Sequence, residues 1–381
     1  MDFSWTEEQV ELREHILDFA RKELTNDVCA LDRAGAFDRE SWDKCGAFGI
    51  PGLPVPEEHG GLGKDPLTTA YALETLGYAC RDNGLLFSMN AHMWTCAMPL
   101  VAFGTPEQKK RFLPGLCNGS LIGGNAMSET EAGSDAYKLR STARKKGDRY
   151  VVSGSKIWIT NGPVADLIVV FANLDTDRHP RGVTAFLVKT DTPGFSVTRA
   201  IEKMGMRTSP MAELYLDECE IPEENRLGKE GAGSALFTHS MTWERGLILA
   251  TAVGSMQRQL EQCVRYAAER KQFGEPIGKF QLIAQRLVNM KLRLEAARSA
   301  LYRVAWLKSK GKSAIMEAAL AKLCISENWV QSCQDAIQIH GANGYTPEYG
   351  FERELRDAMG SRIFSGTSEI QQLIIASLVT R

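Results

Sequence analysis

Phe237-Thr238-His239-Ser240-Met241-Thr242-Trp243-Glu244-Arg245-Gly246-Leu247-Ile248-Leu249-Ala250-Thr251 opens the long helical region on which the fold turns. The pattern predicts one helix from about Ala232 to Gln272. At helical spacing Phe237, Ser240, Met241, Leu247, Ile248 and Thr251 share a face with Glu244. That face is mostly apolar, so a carboxylate stands where a packing residue is expected. A buried carboxylate is costly and its pKa rises. Such a group suits a general base that must take a weakly acidic proton near neutral pH. The alternative is a structural ion pair with a nearby Arg or Lys.

Downstream of this segment, helical patterns cover Lys279–Lys310, Ser313–His340 and Thr367–Thr380. Long helices joined by short loops predict a four-helix bundle over residues 228–381. Upstream, residues 119–227 alternate short Val-, Ile- and Thr-rich runs with turns, Ser153-Gly154 among them. They predict a β-barrel or sandwich. Residues 1–118 read as helices again, with a capping box at Thr105-Pro106-Glu107-Gln108 and a helix ending near Pro114. The fold class expected is therefore α+β, mostly α: a helical domain, a β domain and a helical bundle.

The chain of 381 residues is 44% hydrophobic and 24% charged, with a formal charge of −2. It has no basic field for nucleic acid and no apolar run long enough for a bilayer. The acidic start Met1-Asp2-Phe3-Ser4-Trp5-Thr6-Glu7-Glu8 argues against a targeting peptide. Nine scattered cysteines, none in CxxC spacing, are expected of a reducing cytoplasm. The six histidines show no HxxxH or HExxH spacing, so no metal site is expected.

Five further stretches carry a resemblance. They are Ala126-Met127-Ser128-Glu129-Thr130-Glu131-Ala132-Gly133-Ser134-Asp135, Lys156-Ile157-Trp158-Ile159-Thr160-Asn161-Gly162, Glu269-Arg270-Lys271-Gln272-Phe273-Gly274 with Phe280-Gln281, Gln338-Ile339-His340-Gly341-Ala342-Asn343-Gly344-Tyr345, and Arg362-Ile363-Phe364-Ser365-Gly366-Thr367-Ser368-Glu369-Ile370-Gln371. In this order they resemble the acyl-CoA dehydrogenase family over nearly the whole chain.

Independently of that name, Trp158 and Thr160 lie two apart on one predicted strand. They offer a ring and a hydroxyl on the same side, as a planar amphipathic ligand requires. Alone, Trp158 reads rather as an ordinary core aromatic. The resemblance implies FAD as cofactor, with Met127, Ser128, Ser134, Trp158 and Thr160 about its ring. It implies that Arg270, Phe273 and Gln281 reach the pyrophosphate and adenosine of FAD held by a neighbouring subunit. Gln338 and Gly341 would complete that site, and Thr367 and Glu369 would stand at a helix start suited to phosphate. A homotetramer, or at least a dimer, follows from this sharing.

Many members carry the base in a Tyr-Glu-Gly-Thr motif; here Phe364-Ser365-Gly366-Thr367 has no carboxylate. A minority place it on the long helix, which aligns Glu244 as the base. The resemblance further implies thioester dehydrogenation with hydride transfer to flavin N5, a carbonyl contact from the Ser365 N–H, and Arg245 near the pantetheine arm. The motifs about Glu244 and Ser365 look most like a subgroup acting on carrier-protein-bound prolyl thioesters. The alternatives are a short or branched-chain acyl-CoA dehydrogenase, an oxygen-using flavin oxidase, or a non-catalytic flavin-binding scaffold. An external electron acceptor is expected. Met93, Trp94, Trp243 and Phe364 are candidates for the acyl pocket, and equally for plain core.

Overall fold

The computed structural model describes residues 4–174 and 181–380; Met1, Asp2 and Phe3 of the acidic start lie outside them. The first layer is helical: α1 (Glu7–Glu23), α2 (Val28–Ala34), α3 (Arg39–Phe48), α4 (Pro66–Ala79), α5 (Asn83–His92), α6 (Met98–Phe103) and α7 (Pro106–Cys117). Thr6 and Thr105 close capping boxes with Gln9 and Gln108. Asp27, Asp38, Asp65 and Asp82 accept from the first N–H groups of α2 to α5. These side chains satisfy donors that no helix can satisfy internally. Pro114 does not end α7, which continues to Cys117 with the proline inside it. A π-helical turn, Met93–Ala97, joins α5 to α6.

The middle layer holds β1 (Gly123–Ala126), β2 (Thr142–Lys146), β3 (Arg149–Thr160), β4 (Leu167–Asn173), β5 (Val183–Lys189), β6 (Phe195–Ala200), β7 (Met211–Pro222) and β8 (Arg226–Leu227). They form one mixed sheet in the order β6-β7-β3-β2-β4-β5-β8, with β1 parallel to β4. Its two halves pair at Thr142 and Asn173, between β2 and β4. Val152, Ile159, Leu214 and Leu216 from one half pack with Ile168, Val170, Phe186 and Val188 from the other in a single apolar cluster. Two half-sheets folded over one core give the sandwich-like body expected. The turn predicted at Ser153-Gly154 is instead a bulge within the 12-residue β3, where the register with β7 shifts.

The last layer comprises α8 (Gly233–Leu247), α9 (Ala250–Glu269), a ribbon of β9 (Lys271–Gln272) and β10 (Glu275–Pro276), α10 (Gln281–Ser309), α11 (Ile315–His340), α12 (Ala342–Tyr345), α13 (Phe351–Ser361) and α14 (Ser368–Val379). The single helix expected over 232–272 is two, because the chain turns at Ile248 and Leu249. The break lets α8 lie against α10 and α11 while α9 crosses α4. At that crossing the backbones touch: a Cβ on Gly77 would stand 2.0 Å from the Thr251 carbonyl oxygen, and one on Gly254 1.9 Å from that of Glu74. Arg258 then donates to the carbonyls of Gly77, Tyr78 and Cys80 at 2.6, 3.0 and 2.9 Å, capping the end of α4. One apolar core runs through both helical layers. No helix among the described residues is long and apolar enough to cross a membrane.

Candidate active site

Glu244 lies on the face of α8 that packs inward and is 8% exposed. Its Oε1 accepts a hydrogen bond from the Ser365 hydroxyl at 2.5 Å. Its Oε2 is buried and has no partner among the described residues. Burial raises the Glu244 carboxyl above the ordinary glutamate value, while Ser365, Arg245 and Lys322 pull it down. The structural ion pair that the sequence left open is not formed: among the described residues no Arg or Lys bridges to Glu244.

Besides Glu244, Ser365 is held there by one side chain from α8 and one from α14. Arg245 Nε donates to its carbonyl at 3.1 Å, and Gln371 Nε2 donates to it at 3.2 Å and to Gly366 O at 2.8 Å. The residue adopts φ +58, a left-handed conformation costly for a side chain other than glycine. With its carbonyl and hydroxyl engaged, its N–H forms no hydrogen bond to the described residues. Beside it, Phe364 packs on Phe87 at 4.4 Å between ring centroids. Trp94 and Trp243 stack at 5.9 Å with planes 4° apart, and the Trp94 carbonyl accepts from Ser240 of α8 at 3.1 Å. Phe364 thus flanks the residue that bonds Glu244, and Trp243, the chain neighbour of Glu244, packs on Trp94.

Of the residues expected about a flavin ring, Met127, Ser128, Trp158 and Thr160 lie together toward the end of β3. The segment after β1 is pinned to that strand: the Ile157 N–H donates to Ser128 O at 3.1 Å, and Lys156 Nζ donates to Met127 O at 3.3 Å. Lys156 also pairs with Glu129 at 2.7 Å, both side chains buried. A second register shift, between Lys156 and Ile159, gives Trp158 φ +64 and leaves it 56% exposed while Ile157 and Ile159 are buried. Thr160 is half-buried and Met127 buried; Ser134 is exposed on the turn.

A third group lines a cavity of about 390 Å³ at the other end of the bundle. Arg270, Phe273, Gln338 and Gly341 border it, together with Phe280 and His340. Gln281 begins α10 beside it, and no side chain caps that helix end. The Arg270 guanidinium has no ion pair among the described residues. A free guanidinium, open helix-end N–H groups and an apolar wall fit a dinucleotide's phosphates and adenosine. Thr367 and Glu369 lie apart from this cavity at the start of α14, where Thr367 is the N-cap and its hydroxyl accepts from the Ile370 N–H. The cavity and the carboxylate sit near opposite ends of α11: Lys322, beside Glu244, and Gln338 are separated by 16 residues, about 24 Å of helix.

Sequence reasoning missed two features here. Lys322 looks like an ordinary surface lysine in its helix pattern, yet it is fully buried. The left-handed backbones of Trp158, Phe273 and Ser365 carry no compositional signal at all, although they are half of the six non-glycine residues with positive φ among the described residues.

Comparison with known proteins matches the chain at residues 6–120, 124–219 and 231–379 to the N-terminal, middle and C-terminal domains of acyl-CoA dehydrogenase. An L-prolyl-[peptidyl-carrier protein] dehydrogenase of Pseudomonas fluorescens is 41% identical over 377 residues, 99% of each chain. The crystal structure of the prolyl acyl carrier protein oxidase AnaB superposes with a TM-score of 0.98 at 52% identity, covering 99% of this chain and 100% of that one. PigA with FAD and proline matches at a TM-score of 0.97 and 40% identity, over 100% and 99% of the two chains. With its three layers matched in order by the three domains of one family, and relatives of this identity aligned over nearly its whole length, the chain belongs to the acyl-CoA dehydrogenase family.

Proposed function

We propose that this chain is an FAD-dependent oxidoreductase that desaturates an acyl thioester between its α and β carbons. The acyl group is a prolyl residue on the phosphopantetheine arm of a carrier protein. The observation that carries the reading is the Glu244–Ser365 pair: a buried carboxylate with one oxygen unpartnered, beside a turn that presents an open N–H. The carbon next to a thioester carbonyl is weakly acidic, and Glu244 Oε2 takes its proton. Negative charge then builds on the carbonyl oxygen, where the Ser365 N–H acts as a fixed donor. When bound, FAD supplies the acceptor for the hydride from the neighbouring carbon. Arg245 acts through Ser365, whose carbonyl it holds.

An acyl pocket bordered by the Phe87–Phe364 and Trp94–Trp243 pairs would suit a short or cyclic acyl group. Thr242, one position before Trp243, turns its hydroxyl back on the Thr238 carbonyl at 2.9 Å and offers no carboxylate toward the substrate arm. The carrier-bound substrate is favoured by the prolyl-specific relatives, which match over essentially the whole chain. Trp158, Thr160, Met127, Ser128 and Ser134 are assigned to the flavin ring. The Arg270, Phe273, Gln281, Gln338 and Gly341 group is assigned to the far end of a flavin bound in a neighbouring subunit. Phe273 is 95% exposed, and the cavity's distance from Glu244 supports a site completed by assembly into a dimer or tetramer.

A panel of anaerobic flavin-bleaching reactions tests this. Prolyl-loaded carrier protein is expected to bleach the parent enzyme; Glu244→Gln should stay yellow and fail to bleach. Bleaching by short acyl-CoAs alone would end the carrier reading, and normal bleaching by Glu244→Gln would end the assignment of the base. AnaB is named an oxidase, which favours a second reading in which oxygen is the acceptor. Stoichiometric peroxide in turnover without added acceptor identifies that case.

A further inference from the structure

Lys322 is fully buried in α11, and its Nζ has no hydrogen-bond partner among the described residues. An ammonium in such a place is expensive unless something nearby needs its charge. The charged groups facing it are Glu244 and Arg245 from α8, Glu327 from its own helix and Glu369 from α14. Glu327 is already bound by Arg362 at 2.8 Å and by the Ser368 hydroxyl at 2.6 Å. Glu369 is exposed. Arg245 repels it. The one buried, unbridged anion in this set is Glu244, whose Oε2 is likewise unpartnered. Between the two lies the Phe364-Ser365 turn, with Lys322 Nζ 5.9 Å from the centroid of the Phe364 ring.

We propose that Lys322 is a positioning residue for the reaction: its buried ammonium keeps the Glu244 carboxylate ionised and, over the Phe364 ring, steadies the turn that presents Ser365. The inference rests on Glu244 being the base. Burial lowers the Lys322 ammonium to about 8, so it is still mostly charged near neutral pH, where the base must be free of its proton. The Ser365 hydroxyl and Arg245 are the other groups that favour ionised Glu244, and neither neutralises Oε2 by contact.

The test compares parent, Lys322→Met, Lys322→Gln and Lys322→Arg, all loaded with FAD, by the pH dependence of the anaerobic bleaching rate. Removing the positive charge raises the pKa of Glu244, so the acid limb should move up by about one pH unit in the Met and Gln variants. Rates on the acid side should fall about tenfold, the alkaline plateau should persist, and Lys322→Arg should return the limb toward the parent. A merely structural lysine would lower the whole profile without moving the limb, and a limb that coincides with the parent's overturns the proposal. Should both neutral variants fail to fold, the double variant Glu244→Gln/Lys322→Met decides. Recovered folding marks two charges that answer to each other, and a double variant that stays unfolded overturns the coupling. Normal bleaching by Glu244→Gln sinks the base assignment itself; a silent Glu244→Gln with an unmoved Lys322→Met limb sinks only the role of Lys322.

Discussion

Replacing Ser365 by alanine removes the one hydrogen bond that the Glu244 carboxylate receives among the described residues, the 2.5 Å contact to Oε1. A hydrogen bond to a charged acceptor contributes about 1.5–3 kcal/mol. At 1.36 kcal/mol per pKa unit, its loss should raise the Glu244 pKa by about 1–2 units. The sign follows from which form the hydroxyl favours: it donates to the carboxylate, so without it the protonated acid gains. Catalysis needs the ionised form, and the acid limb of the rate profile should therefore move upward by the same amount. On the acid side the variant should bleach its flavin about 10- to 100-fold more slowly, while on the alkaline plateau it should approach the parent. Stopped-flow bleaching across the pH range reads this directly. Ser365→Gly, which also lacks the hydroxyl but tolerates φ +58, should move the limb equally; any difference between the two variants isolates the backbone. A Ser365→Ala profile that overlays the parent, or one that moves to lower pH, would refute the reasoning.

Two other outcomes can be checked. Arg270→Gln should weaken FAD retention about 10- to 100-fold, as expected for losing a charge-assisted contact to phosphate, measured as flavin remaining after gel filtration. Unchanged retention would remove Arg270 from the dinucleotide site. Gly254→Ala places a methyl 1.9 Å from the Glu74 carbonyl oxygen, and backbone cannot yield as a side chain can. It should destabilise the protein by about 2 kcal/mol or more in chemical denaturation, whereas Gly311→Ala, at a glycine whose added Cβ meets nothing within 4 Å, should lose only the smaller amount due to its left-handed backbone.

Much of the site was legible where it depends on local periodicity. The burial of Glu244 follows from counting helical positions, because α8 is regular through that residue. The partners of Glu244 were not legible in the same way. Ser365 lies 121 residues further on, and only the packing of α14 and the preceding turn against α8 brings its hydroxyl to the carboxylate. The break between α8 and α9 also escaped periodicity, since Leu247, Ile248, Leu249 and Ala250 continue the apolar run and the nearby Gly246 lies inside α8. Helix α13 was missed among Gly- and Pro-containing flanks, although its buried Phe351, Glu354, Asp357 and Ala358 recur at helical spacing. Conversely, Ser153-Gly154 looked like a turn because Gly commonly marks one; in β3 the same freedom serves a bulge, with Gly154 at φ +148 against Ser141.

The touching backbones of α4 and α9 have a mechanical consequence. Glycines in mutual contact leave no side chains to slide over one another, and the Arg258 clasp on the end of α4 resists shearing along the same line. The first and last layers should thus travel as a single rigid frame during turnover. Any breathing that admits a tethered substrate is left to pieces outside that weld, foremost the short turn carrying Ser365, which side-chain hydrogen bonds join to α8 and α14.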